Sequence, residues 1–210
     1  MKKLPSFWPF VVAMIAIVAA SNFLVQFPFD YLGLGQVLTW GAFSYPFSFL
    51  VTDLTNRRLG VAGARKVVVA GFTIAVILSI GIATPRIAIA SGTAFLVAQL
   101  LDVTIFDRLR RQAWWRPPLF STLVSSMVDT VIFFALAFAV TFVFLDKIFG
   151  NPDGSLAVPV SVLGVEAPLW VSLALGDYVV KLLLGFLMLA PYGALMSVLR
   201  PVEPGRAQQR

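Results

Sequence analysis

Four carboxylates and one ammonium lie inside stretches otherwise built of Leu, Val, Phe and Ala: Asp53, Asp102, Asp129, Asp177 and Lys181. An ionisable group in such a stretch is costly and marks a path or a binding site by default. Asp177 and Lys181 are spaced i,i+4 and can neutralise each other on one helix. Asp129 has no Lys or Arg on its own helical stripe, so it needs a partner from another helix, a proton or a ligand. The chain has no His and no Cys. Thiol nucleophiles, imidazole bases, disulfides and soft-ligand metal sites therefore lack their parts. A G-x-S-x-G elbow and a G-x-x-x-x-G-K-[ST] phosphate loop are also absent. An aspartyl pair such as Asp129 and Asp177 could cleave a peptide bond only if the two stood about 3 Å apart and shared a proton. The expectation is a protein that binds and moves something rather than an enzyme, with no metal and no cofactor.

These groups sit in a chain of 210 residues, 59% hydrophobic and 12% charged, with a mean hydropathy of +0.90. A soluble domain of this length carries about twice that share of charge. The formal charge is +6, but the basic residues fall between apolar runs. Membrane topology accounts for them better than nucleic-acid binding.

A bilayer core of about 30 Å needs about 20 apolar helical residues. Six runs qualify: Phe7–Gln26, Val37–Leu54, Lys66–Ala83, Arg86–Phe106, Leu119–Leu145 and Leu169–Leu189. The opening "MKKLPSFWPFVVAMIAIVAAS" has the look of a signal peptide, but Asn22 and Gln26 continue it and more spans follow, so it reads as an uncleaved first helix. The second run holds Tyr45 and Pro46, and Pro46 removes a backbone donor in mid-helix; a broken or re-entrant second helix is expected. Thirteen of the sixteen Lys and Arg fall on one side of these spans, two (Arg86, Lys147) on the other, and Lys181 within a span. The positive-inside rule then puts both termini in the cytoplasm. The expected fold is a single all-α domain over residues 1–210, a polytopic bundle of six transmembrane helices. Residues 1–6 and 200–210 would be cytoplasmic. The one long outer loop, 146–168, carries an "NPDG" turn and then "SLAVPVSVLGVEAP", a short hairpin or flap.

At 100° per residue the polar groups form stripes. Ser91, Phe95, Gln99 and Asp102 share about 80° of the fourth helix; Thr122, Ser126, Asp129 and Phe133 share about 60° of the fifth; Trp170, Asp177, Lys181, Met188 and Tyr192 share about 60° of the sixth. Asp129, Asp177 and Lys181 lie about 12–18 Å from their helix starts, near the midplane where carriers bind substrate. Gln99 can bind substrate or hold helices together, and Asp102 can bind substrate or pair with Arg108. In "SYPFSFLVTDLTNRRLG", Asp53 can pair with Arg57 at i+4. Alternatively Asp53, Asn56 and Arg57 gate the inner end of the path, with Tyr45 and Pro46 as a movable wall.

Four blocks, "SYPFSFLVTDLTNRRLGVAGARKVVVAGF", "RIAIASGTAFLVAQLLDVTIFDRLRR", "WWRPPLFSTLVSSMVDTVIFFALAF" and "LGDYVVKLLLGFLMLAPY", occur in order over residues 44–192. Together they resemble the queuosine precursor transporters, earlier grouped as vitamin uptake transporters of the inner membrane. The resemblance implies import of 7-deazaguanine bases, 7-cyano-7-deazaguanine and 7-aminomethyl-7-deazaguanine. In that setting Asp129 or Asp102 would accept from the N–H edge of the base and Gln99 would pair with its carbonyl side. Phe95, Phe133 or Tyr45 would stack on the ring. Transport would be facilitated or ion-coupled. The alternative is a substrate-binding membrane subunit served by an external ATPase module. The lipid bilayer is the expected surrounding, and a bundle this small is compatible with a homodimer.

Overall fold

The computed structural model describes residues 7–24, 27, 29–31, 38, 40–162 and 164–198. The expected cytoplasmic segments 1–6 and 200–210 lie outside the described residues, as do Gln26 and Val37 at the ends of the first two expected spans. The helices are α1 (Trp8–Leu24), α2 (Gly41–Ser44), α3 (Phe47–Ile82), α4 (Pro85–Leu109), α5 (Arg116–Phe138), α6 (Val143–Ile148), α7 (Leu169–Leu187) and α8 (Leu189–Val198). Among the described residues, four helical stretches are long and apolar enough to cross a membrane: 41–79, 85–109, 116–138 and 169–196. A shorter apolar helix covers 8–21.

The first of those stretches is two helices. Gly60, at φ +76 and ψ −178, breaks α3. The Tyr45 ring stands 6.1 Å from the Phe95 ring, and a Cβ on Gly71 would stand 3.3 Å from the same Phe95. A straight helix would separate residues 45 and 71 by about 39 Å, so the chain doubles back at Gly60. The region that Gly60 occupies is open almost only to glycine. No atom outside its immediate neighbours would meet an added Cβ there, so the cost of a side chain is backbone strain alone. Gly60→Ala should lower stability by about 1–3 kcal/mol, read as a shift in the melting of the detergent-purified protein. An unshifted transition would contradict the tight reversal.

The expected interruption at Pro46 is present, but it is mild. Tyr45 and Pro46 keep right-handed helical dihedrals, and Phe49 N–H donates to the Pro46 carbonyl at 3.1 Å. Proline removes one donor, and shorter-range turn bonds carry the chain through without a change of course. α4 starts as sequence rules ask: Thr84 is an extended N-cap whose hydroxyl accepts from Ile87 N–H at 3.4 Å, and Pro85 holds the first position.

The fifth helix is shorter than the expected Leu119–Leu145. It begins at Arg116 and ends at Phe138, with Ala139 extended, and the chain then makes a 3-10 turn (Val140–Phe142) before α6. Arg86, 1% exposed, meets this end. Its Nε donates to the Leu136 carbonyl at 2.9 Å, one Nη donates to the Ala139 carbonyl at 2.6 Å, and the other pairs with Asp146 at 2.6 Å. The guanidinium thus takes up the Leu136 carbonyl at the ending helix and shares the Ala139 carbonyl with the Phe142 N–H.

The 146–168 connection forms the expected hairpin. β1 (Pro159–Val162) pairs antiparallel with β2 (Val165–Pro168), Pro159 opposite Pro168 and Val162 opposite Val165. Gly164, at φ +84, makes the turn. In "NPDG", exposed Asp153 accepts from the Ser155 N–H at 2.8 Å, and this bond holds its carboxyl below the usual carboxylate range.

α4 packs on α3 and α5, α1 on α3, and α7 on α5. The helix faces are inverted relative to a soluble domain. On α5, Ser121, Thr122, Ser125, Ser126, Asp129 and Thr130 are buried, while Phe120, Val124, Met127 and Val131 are exposed. On α7, Lys181 is buried while Leu175, Val179, Leu183 and Phe186 face outward. Lipid solvates such an outer surface, and water does not.

Candidate functional site

Two helices and a turn bring the buried charges together. α5 supplies Asp129 and Thr130, α7 supplies Asp177 and Lys181, and the turn before α3 supplies Tyr45. Lys181 Nζ lies 2.8 Å from Asp129 Oδ2 and 2.5 Å from Asp177 Oδ2, and it donates to Thr130 Oγ1 at 3.1 Å. Thr130 donates in turn to Asp177 at 2.8 Å. The Tyr45 hydroxyl donates to Asp129 Oδ1 at 3.2 Å, and the Lys181 ammonium stands 5.6 Å from the Tyr45 ring centroid. Asp129 is 4% and Lys181 5% exposed. With all three ionised, the cluster carries a net charge of −1. The partner that Asp129 lacks on its own stripe is Lys181, and the i,i+4 pair on α7 is also made. Thr130 was not foreseen, although its place beside Asp129 was the available signal.

Gln99 is committed on both ends of its amide. Its Nε2 donates to Ser48 Oγ at 2.8 Å, and its Oε1 accepts from Thr52 at 2.6 Å. It clamps α4 to the first arm of α3. Phe95 is buried beside the Tyr45 ring, whereas the Phe133 ring meets Phe134 and Phe138 at 5.2 and 6.1 Å.

One to two turns towards Gly60, Asp53 (2% exposed) and Asp102 (0%) adjoin each other. Ser121 donates to Asp53 Oδ1 at 3.3 Å. Among the described residues neither carboxylate has an ion pair, so the Asp53–Arg57 and Asp102–Arg108 pairings are not made. Arg57 instead donates to the Arg110 carbonyl at 3.2 Å. Asn56 donates to the Val103 carbonyl at 2.9 Å and receives Arg110 on both its side-chain and backbone oxygens. Asn56 and Arg57 therefore fasten the Gly60 reversal to the end of α4.

Asp53 lines a cleft of about 280 Å³, its open mouth included, between α3, α5 and the α7–α8 bend. Pro46, Phe49, Thr122 and Tyr192 line it too. The Tyr192 hydroxyl is buried with no hydrogen-bond partner among the described residues. Tyr192 lay on the predicted stripe of the sixth span, and nothing in that pattern set it apart as a site residue. Among the described residues no cluster of carboxylates has the makings of a metal site.

A family model described as "Putative vitamin uptake transporter" matches residues 39–84 and 81–195. The "Queuosine precursor transporter" of Escherichia coli is 34% identical over 207 residues, 88% of this chain and 84% of the relative. The "Probable queuosine precursor transporter" of Haemophilus influenzae is 34% identical over 217 residues, with the same two coverages. That of Bacillus subtilis is 32% identical over 132 residues, half of this chain and 58% of the relative. No solved structure matches the chain. The match over most of the chain, together with apolar helices that turn charged groups inward, means that this chain belongs to the queuosine precursor transporter family, the family described as vitamin uptake transporters.

Proposed function

We propose that the chain imports 7-cyano-7-deazaguanine and 7-aminomethyl-7-deazaguanine into the cytoplasm across the inner membrane. In this reading it is a carrier working by facilitated or ion-coupled transport. The chain crosses the bilayer six times, through α1, the two arms of α3, α4, α5 and the α7–α8 pair, with both termini in the cytoplasm. The reversal at Gly60 supports the count of six. The grouping of Arg57, Arg58, Arg65, Lys66, Arg108, Arg110, Arg111 and Arg116 near that reversal and the α4–α5 connection supports the orientation.

The observation that carries the reading is the buried Asp129–Lys181–Asp177 cluster, set between helices of a chain whose relatives are named queuosine precursor transporters. A buried cluster with surplus negative charge suits a ligand rich in N–H donors, and the aminomethyl form adds a cation. Tyr45 ties the cluster to the α3 wall of the cleft, so movement of that wall and the state of Asp129 are linked. Asp53, Asn56 and Arg57 stand at the inner end of the same route, as a gate would.

Cells lacking other routes of precursor salvage should take up labelled precursor only when this chain is expressed. A protonophore should collapse accumulation if the carrier is proton-coupled. Dependence on an ATPase module instead, with no response to the protonophore, would replace the carrier with a binding subunit of a pump.

A further inference from the structure

We propose that Asp53 reads the N–H edge of the imported base, in the cleft between α3, α5 and α8, with Tyr192 completing the subsite. This rests on the import reading above and moves the recognition group away from the midplane cluster. Three observations converge on it.

The first is commitment. Each Asp129 oxygen already has a donor, from Tyr45 and from Lys181, and both ends of the Gln99 amide are taken by Ser48 and Thr52. Asp53 takes a long hydrogen bond from Ser121 at 3.3 Å, adjoins Asp102 and Thr122 without an ion pair among the described residues, and lines the cleft.

The second is deficit. Buried polar groups are nearly always hydrogen-bonded. Here the Tyr192 hydroxyl, 1% exposed and lining the same cleft, has no partner among the described residues. The nearby cations do not relieve this, because Arg57 and Arg110 are engaged with the α4 end, Asn56 and Asp107.

The third is chemistry. An aminopyrimidinone edge presents a ring N–H beside an exocyclic amine, and one carboxylate accepts both. Its neighbouring carbonyl can take the Tyr192 hydroxyl. Phe49 and Pro46 offer apolar walls to a flat ring.

The test is calorimetric titration of the detergent-purified full chain with 7-cyano-7-deazaguanine and with the same base lacking its 2-amino group. The wild type should prefer the aminated base by about 10–100-fold, as the loss of a hydrogen bond to a charged acceptor implies. Asp53→Asn should bring that ratio close to one, because an amide offers a donor where the base also has one. Tyr192→Phe, which removes only the hydroxyl and should fold normally, should weaken binding of the aminated base by about 10-fold. An Asp53→Asn ratio equal to wild type would overturn the assignment, as would equal affinity of the wild type for both bases. If Asp53→Asn fails to fold, an unchanged affinity in Tyr192→Phe overturns it instead. Discrimination in binding without any uptake would count against import alone and leave the subsite standing.

Discussion

Lys181→Ala is expected to abolish uptake and to destabilise the protein by about 3–5 kcal/mol, the usual cost of removing one partner from a buried ion pair. The ammonium is shared by Asp129 at 2.8 Å and Asp177 at 2.5 Å, with Thr130 as a third acceptor. Without it, two carboxylates face each other inside the bundle with only hydroxyl donors. The melting temperature of the purified protein and the uptake rate per folded molecule separate the two effects. A variant that is neutral throughout, Lys181→Met with Asp129→Asn and Asp177→Asn, removes the unpaired charge and should recover most of the stability. It should not recover transport, because the charged centre is gone. Wild-type uptake by the neutral variant would reduce the cluster to a structural staple.

Arg86→Ala should cost a similar amount, about 3–5 kcal/mol, by a different route. The side chain joins the start of α4 to Asp146 and to the carbonyls of Leu136 and Ala139. Its loss leaves Asp146 with the Gly154 N–H at 3.2 Å as its remaining hydrogen bond to a side-chain oxygen. The end of α5 and the 3-10 turn should loosen, visible as faster hydrogen exchange in residues 136–148. Arg86 lines neither the midplane cluster nor the cleft, so the KM of whatever protein remains folded should stay near wild type. A large change in KM at normal stability would place Arg86 on the substrate route instead.

What the sequence made legible was decided by periodicity and charge. The polar stripes named Asp129, Asp177, Lys181, Gln99 and Asp102 as inward-facing, and four of these five are buried, with Asp177 close behind. The hairpin at 159–168 falls in the stretch after "NPDG" that is expected to form a short hairpin or flap. The end of α5 was not legible, because Phe138 to Leu145 is apolar but for Thr141 and the guanidinium that meets the helix end comes from another helix. Nor was the division of labour among the polar groups. Asp129 and Asp53 look alike as carboxylates in apolar spans, and only the packing reveals that one meets an ammonium and a phenol while the other meets Asp102 and hydroxyl groups. The pairing of Asp53 with Arg57 is sound spacing on an isolated helix, but Arg57 is drawn instead to the carbonyl at the end of α4.

Carrier function is tested most directly with the purified chain in liposomes, its only protein, and labelled 7-cyano-7-deazaguanine outside. The account predicts saturable uptake above empty liposomes, inhibited by unlabelled 7-aminomethyl-7-deazaguanine and lost in Asp129→Ala with expression intact. Uptake no greater than in empty liposomes, or uptake at the wild-type rate by Asp129→Ala, would contradict it.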